Sequence, residues 1–243
     1  TWNCNSLLLD GNDDYLALPD SIFWAFEDGD FTMSLWARVR SPTNHISFLQ
    51  QYGADNAKWW FGSTGGVLWL SKKDPSWTTL GGVWSPQVEV WHHVSVTRKD
   101  GLLSFYVDGV ELDAESGTDL ASSIYIPNYD GDVFVGWYRD AGNTEYLHSD
   151  IYAISVWDTA LSASAIAETG SDIPSGDESN LVAHWIFSNA VDGVTPDLTG
   201  NGNDALVFGA TPVAGCPHYA SVCGDGLIQG NETCDDGNTL DGD

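Results

Sequence analysis

The sequence predicts an all-β protein: a jelly-roll sandwich of two antiparallel sheets, followed by a small disulfide-stapled C-terminal tail. Three observations carry that expectation. Short runs with a period of two recur along the chain, and turn clusters such as Lys99-Asp100-Gly101, Asp108-Gly109 and Asp130-Gly131 separate them. Only one stretch has helical spacing. Many short strands joined by tight polar turns bury their apolar faces against a second sheet.

The elements follow in order. FTMSLWARVR (31–40) sets Phe31, Met33, Leu35, Ala37 and Val39 against Thr32, Ser34, Trp36, Arg38 and Arg40, giving one apolar face. ISFLQQYG (46–53), KWWFGST (58–64) and GVLWLSK (66–72) are further strand candidates, rich in aromatic and β-branched residues. WHHVSVTR (91–98) and LLSFYVDG (102–109) follow, the second opposing Leu103, Phe105 and Val107 to Ser104, Tyr106 and Asp108. DVFVGWY (132–138), DIYAISVW (150–157) and LVAHWIF (181–187) complete the set. SASAIAE (162–168) is the helix, two turns at most, with Ser162 at its N-cap.

Composition bounds the function. The 243 residues are 42% hydrophobic and 12% aromatic, enough for a substantial core. Thirty-five acids against eight bases give a net charge of −27, which disfavours nucleic acid and anionic membrane surfaces as partners. The acids serve solubility, hold divalent cations, or both. No apolar run approaches the roughly 18 residues of a membrane helix, so membrane insertion is not expected. No signal peptide is visible, and a start at Thr1 fits a processed or trimmed product. Twelve Trp are too many for a core alone; indoles left half exposed mark binding faces.

The cysteines are Cys4, Cys216, Cys223 and Cys234. A Cys4–Cys216 bridge would suit a fold whose first and last strands lie side by side, and Cys223–Cys234 would then staple the tail. Disulfides imply an exported, oxidised protein, secreted or at the cell surface. The composition shifts near Cys216. Residues 217–243 lack Lys and Arg and are rich in Gly, Asp and Asn, so the expected division is a body over 1–216 and a separate loop-rich piece over 217–243.

Several stretches together resemble the concanavalin A-like, laminin-G-like family in its bacterial pentraxin-like branch. These are LLLDGNDDYLALPD (7–20), FTMSLWARVR (31–40), WHHVSVTRKDGLLSFYVDGVEL (91–112), DIYAISVWDTALSASAIAE (150–168) and LVAHWIFSNAVDGVTPDLTGNGNDALVFG (181–209). They occur in the family's order over roughly residues 1–215. The resemblance implies one concave and one convex sheet with adjacent termini, which favours the Cys4–Cys216 bridge. The tail CGDGLIQGNETCDDGNTLDGD (223–243) resembles a cysteine-rich repeat of exported myxobacterial and other marine or soil bacterial proteins. That repeat normally runs on beyond Gly-Asp, so Asp243 is expected to fall mid-repeat, within a larger multidomain chain.

One motif suggests an enzyme. YVDGVELDAESG (106–117) contains Glu111, Asp113 and Glu115 as E-x-D-x-E, the pattern of the catalytic strand in laminarinase-type hydrolases. In those hydrolases it comes well before the YVDG hairpin; here it follows FYVDG directly, as the polar return limb of an Asp-Gly turn. On one strand Glu111 and Glu115 would have Cα atoms about 13 Å apart, whereas a retaining carboxylate pair needs roughly 5–5.5 Å between carboxyls. A hydrolase using Glu111 and Glu115 is therefore the weaker reading. His92 and His93 face opposite sides of one strand, with no G-x-S-x-G elbow or placed cysteine to make them catalytic; hydrogen-bonded structural roles are expected.

Two loops, DGNDDY (10–15) and DLTGNGND (197–204), are dense in hard oxygen donors. If the first and last strands are neighbours, Asp10, Asp13, Asp14, Asp197, Asn201, Asn203 and Asp204 could meet around one structural calcium, an ion the family often binds. The competing reading is two Asx turns satisfied by their own backbone. For a ligand, Trp59, Trp60, Trp69, Trp77 and Trp84 in 58–84, with Trp137, Tyr138 and Arg139, supply stacking faces and a polar rim suited to sugar rings. Trp59 and Trp60 must point to opposite faces, and Trp77 and Trp137-Tyr138 are expected to be exposed. The expected role is a non-catalytic carbohydrate-binding module; the alternative is an adhesion module with an extracellular protein ligand.

Overall fold

A computed structural model of the chain describes residues 4–41, 44–120 and 124–217. The strands are β1 (Asn5–Asp10), β2 (Tyr15–Leu18), β3 (Phe31–Ser41), β4 (Ile46–Tyr52), β5 (Lys58–Thr64) and β6 (Val67–Lys73). Next come β7 (Trp77–Val83), β8 (Trp91–Lys99), β9 (Leu102–Val107), β10 (Val110–Glu111), β11 (Val133–Val135) and β12 (Trp137–Asp140). The last are β13 (Asn143–Tyr146), β14 (His148–Trp157), the helix α1 (Ala163–Ser171), β15 (Leu181–Ile186), β16 (Val194–Thr195), β17 (Ala205–Phe208) and β18 (Thr211–Ala214).

Two eight-stranded sheets form the expected sandwich, with antiparallel pairing throughout. The first has the order β10-β9-β8-β3-β14-β1-β18, with β15 also paired to β14. The second runs β16-β17-β2-β11-β4-β5-β6-β7, and β12-β13 form a separate hairpin. The period-two pattern of β3 drives its placement: Phe31, Met33, Leu35, Ala37 and Val39 all enter the core between the sheets. They meet Leu16, Leu18, Phe48, Trp59, Phe61, Leu68, Leu70 and Val133 from the facing sheet. β14 breaks its own alternation. A register shift between Ile151 and Ala153 lets both Ile151 and Ile154 face the core, leaving Tyr152 and Ala153 outside against Trp36.

The mixed face of β3 carries paired charges. Asp150, fully buried on β14, accepts from the Arg38 and Arg40 guanidinium groups. Arg98 is also buried and donates to the carbonyls of Phe26, Gly29 and Ile124, which closes the loops at that end. The helix begins where the sequence placed it: Ser162 Oγ accepts from Ala165 N at 3.2 Å. It runs on through Ser171, past the two turns expected.

Cys4 and Cys216 are bonded, with Cα atoms 5.7 Å apart. The bridge closes over β1 and β18, which pair in register from Asn5 opposite Ala214. Cys223 and Cys234, and the expected staple between them, lie outside the described residues.

Candidate functional site

The outer face of the second sheet, turned away from the core, presents its own aromatic surface. Register sets three rungs across β5, β6 and β7: Trp60–Ser71–Thr79, Gly62–Trp69–Gly81 and Lys58–Lys73–Trp77. Each indole in the first two rungs has small neighbours. A Cβ on Gly62 would come within 2.6 Å of the Trp60 ring, and one on Gly81 within 2.5 Å of the Trp69 ring. The two glycines therefore leave room for the indoles to rest on the sheet backbone. Aromatic residues covering strand glycines in this way also keep that stretch of sheet ordered.

The hairpin β12-β13 covers part of the same face. Tyr138 stacks on His45 at 4.0 Å between centroids and meets Trp60 edge-on at 5.6 Å. His45 is fixed by Glu145, which takes both its Nδ1, at 2.8 Å, and its backbone N–H, at 3.1 Å. Burial, with the nearby carboxylates of Asp140 and Glu145, pushes the Tyr138 phenol up to about 12. Between hairpin and sheet lies a cleft of about 270 Å³, lined by His45, Trp60, Thr64, Trp69, Ser71, Trp77, Thr79 and Tyr138. Three indoles, a phenol, an imidazole and the hydroxyls of Thr64, Ser71 and Thr79 share one cavity.

Beyond Trp77, at one end of this cleft, two lysines share one carboxylate. Lys58 is fully buried, and its Nζ donates to Asn56 Oδ1 at 2.6 Å, Asp140 Oδ1 at 2.8 Å and the Arg139 carbonyl at 3.1 Å. Lys73 reaches the same Asp140 oxygen at 3.2 Å and stands 5.5 Å from the Trp77 ring centre. Arg139 lies 4.5 Å over Tyr52 and 5.6 Å over Trp137. Burial lowers the Lys58 ammonium and Asp140 works against that loss. Burial also opposes the Asp140 carboxylate, but donation from Lys58 and Lys73 outweighs it and holds Asp140 below its ordinary value.

Of the aromatic residues expected to bind, Trp60, Trp77 and Tyr138 line the cleft. Trp77 is 41% exposed, as expected, at the start of strand β7. Tyr138 is buried beneath His45, contrary to its expected exposure, because the hairpin turns it onto the sheet. Trp59 points the other way into the core, where its Nε1 donates to Gln51 Oε1. Trp84 packs against the core edge beside Phe48 and His92. Trp137 joins a separate cluster with Tyr15, Phe134 and Tyr146. Trp69, named among the aromatics of 58–84, lines the cleft too, on the face opposite core Leu68 and Leu70. The sequence did not single out His45, Thr64, Ser71 and Thr79.

Neither Glu111 nor Glu115 lines the cleft. Glu111 ends β10 at the rim of the first sheet; the chain then crosses to the second, where Ala114 bridges Gly82 and Glu115 N donates to the Gly81 carbonyl. The motif thus spans two sheet edges and not one strand. His92 Nδ1 pairs with Asp108 Oδ2 at 2.8 Å, whereas His93 lies on the opposite face against Trp36. Only the backbone N–H of His93 reaches Asp108; its buried Nδ1 has no hydrogen-bond partner, contrary to the expected bonded ring.

The two acidic loops do not form one site. β2 and β17 pair with Tyr15 opposite Phe208 and Ala17 opposite Leu206, so the Asp10–Asp14 turn and Asp204 sit at opposite ends of that pair, about 16 Å of strand apart. Asp197 is already saturated: Oδ1 accepts from His184 N, Thr199 N and Thr199 Oγ1, and Oδ2 from Asn203 N and Nδ2. Asn201 Nδ2 donates to the Val182 carbonyl, and Asp204 Oδ1 accepts from Asp197 N. That loop is a self-satisfied turn. The Asp10–Asp14 turn is also bonded within itself, Asp10 accepting from Asn12 N and Nδ2 and Asp14 Oδ2 from Asp10 N, yet one oxygen from each of Asp10, Asp13 and Asp14 lies within 4.8 Å of the others. Burial, and then the like charges of Asp10 and Asp13, push Asp14 above its ordinary value.

Two facing antiparallel sheets with adjacent first and last strands define a jelly-roll β-sandwich. The chain belongs to the concanavalin A-like lectin/glucanase superfamily: its laminin G family model matches residues 10–167. Residues 215–243 match a domain of unknown function, DUF4215. Among solved structures, a Bacteroides ovatus protein to which carbohydrate binding is ascribed superposes with a TM-score of 0.68 at 14% identity. The alignment covers 88% of this chain and 61% of that one, so the chain spans about three fifths of its length. A SAP-like pentraxin from Limulus polyphemus aligns with a TM-score of 0.49 at 15% identity, over 84% of this chain and 94% of that one. Domain 4 of the Geobacillus stearothermophilus arabinanase AbnA, solved with arabinotriose, aligns at 0.43 and 17% identity, over 59% of this chain and 67% of that one. No curated protein matches the chain in sequence.

Proposed function

We propose that the chain is a non-catalytic carbohydrate-binding module of a secreted or cell-surface protein, with the Trp60–Trp69–Trp77 cleft as its sugar seat. The observation that carries this reading is the cleft itself. Indole faces offer the apolar surface that a sugar's C–H groups stack on, while Thr64, Ser71, Thr79 and His45 stand within reach of its hydroxyls. The superfamily and the Bacteroides ovatus fold neighbour favour it, and the Cys4–Cys216 bridge favours an oxidising compartment. The Asp10–Asp13–Asp14 turn is the proposed seat of a structural calcium, supported by the convergence of its three carboxylates.

A glycan array probed with and without chelator tests both parts. The expected result is binding to a defined set of glycans that is lost in Trp77→Ala, with the melting temperature nearly unchanged because Trp77 is half open to water. Chelation should lower the melting temperature more than it weakens binding, since the acidic turn lies outside the cleft lining. Silence on the array from folded protein would refute the sugar reading.

A further inference from the structure

Two of the three indoles in the cleft keep a face open to a ligand. Trp60 is buried beneath Tyr138 and His45 and serves as a wall. Trp69 is half-buried and rests over Gly81, its Nε1 already donating to the Thr64 carbonyl at 3.2 Å. Trp77 is the exposed one. Register fixes the distance between the two open indoles. Trp69 stands opposite Gly81, and Trp77 lies four residues from Gly81 on β7, so their Cα atoms are about 14 Å apart. A single sugar ring is too small to touch both.

Midway between them Ser71 and Thr79 face each other across β6 and β7. Both border the cleft, and among the described residues no hydrogen bond within the protein engages either hydroxyl. The Cβ atoms of such a cross-strand pair stand about 5 Å apart. Each hydroxyl both donates and accepts, so the two together match neighbouring hydroxyls of a sugar. Thr64, by contrast, donates its hydroxyl to the Asn44 carbonyl.

Charge decides the class of sugar. Among the described residues the lining holds no Lys, Arg, Asp or Glu. His45 is bonded to Glu145, and the Tyr138 phenol, pushed up to about 12, stays neutral near pH 7. Beyond Trp77 the ammonium groups of Lys58 and Lys73 are turned to Asp140. An acidic sugar would give up the water around its charge and meet no cation in the lining. The field of a chain carrying −27 opposes its approach as well.

We propose that the cleft takes neutral, linear oligosaccharides of more than one ring, laid along β6 and β7. One ring stacks on Trp69 and another on Trp77, and Ser71 and Thr79 bond the hydroxyls between them. The inference rests on the cleft being a sugar site; it adds the class of sugar and two hydroxyls that set specificity.

Titration calorimetry of the whole chain against neutral cello-, xylo-, manno- and malto-oligosaccharides of increasing length tests the proposal. Oligogalacturonates of the same lengths form the charged arm. In at least one neutral series, affinity should climb about tenfold or more from one ring to about three, then level off. It should not respond to salt. The oligogalacturonates should bind about tenfold or more weakly. Trp69→Ala should abolish the gain with length. Ser71→Ala and Thr79→Val should each weaken the longer ligands about threefold to tenfold, with the melting temperature nearly unchanged. If a variant fails to fold, the length and charge dependence of the unaltered protein decide. Affinity that is flat with length, an acidic series bound as tightly as the neutral ones, or unchanged binding in both hydroxyl variants overturns this inference and leaves the sugar reading standing. Silence toward every series from folded protein overturns the sugar reading beneath it.

Discussion

His93 shows how a single residue can carry a pH dependence. It is buried between the Trp36 indole, 5.2 Å away, and Gly170 of α1, where a Cβ would sit 2.9 Å from Nδ1. Burial, opposed by the Asp108 charge, pushes the imidazole down to about 4. The unfolded chain takes up this proton near 6.5, the folded chain only near about 4, so stability is full above the first value and lost as pH falls toward the second. The loss is on the order of 3 kcal/mol. Thermal melting between pH 7 and 4 should therefore show a decline that flattens in His93→Phe. His184, also lowered by burial, accounts for part of the slope that remains. The opposite facing of His92 and His93 could be read from alternation. The orphaned ring nitrogen could not, because it depends on a helix some 70 residues further along the chain meeting that face.

At the scale of the element, the platform β5-β6-β7 explains why one strand escaped notice. WTTLGGV (77–83) has two glycines where a strand pattern calls for side chains, and glycine in a strand reads as a break. In the fold those positions are already filled by other residues: Trp69 crowds Gly81, and Leu112 crowds Gly82. No local rule could reveal that. Gly62 is equally constrained, since an added Cβ would come 2.2 Å from the Ile46 carbonyl oxygen, a backbone atom that cannot swing aside. Gly62→Ala is expected to cost about 1–3 kcal/mol or more by overpacking. Urea denaturation would measure it, and the variant should lose sugar affinity through displacement of Trp60. By contrast, β3, β8, β9 and α1 were legible, because their periodicity and the Ser162 cap depend on near neighbours in sequence.

For the whole molecule, the sandwich class and the joined termini were readable, whereas the sheet order was not. Strand β14 serves as hub to β1, β3 and β15 at once, an arrangement set by long-range packing. The acidic loops illustrate the same limit. Their composition was visible, but only the pairing of β2 with β17 shows that they point to opposite ends. The Cys4–Cys216 bridge spans a sequence separation of 212. By the loop-entropy account, closing so long a loop removes about 5 kcal/mol of unfolded-state freedom. Cys4→Ser with Cys216→Ser should lower the unfolding free energy by up to that amount, read by chemical denaturation under oxidising conditions.

The same bridge governs how the fold carries mechanical force. Tension entering just before Cys4 and leaving just after Cys216 passes through one covalent S–S link and bypasses every strand between them. While the link is intact, a body tethered at its two ends can be pulled without being unravelled, and the Trp60–Trp77 cleft keeps its shape under load. Reduction would transfer that load to the β1-β18 and β1-β14 ladders, whose hydrogen bonds would then have to bear it.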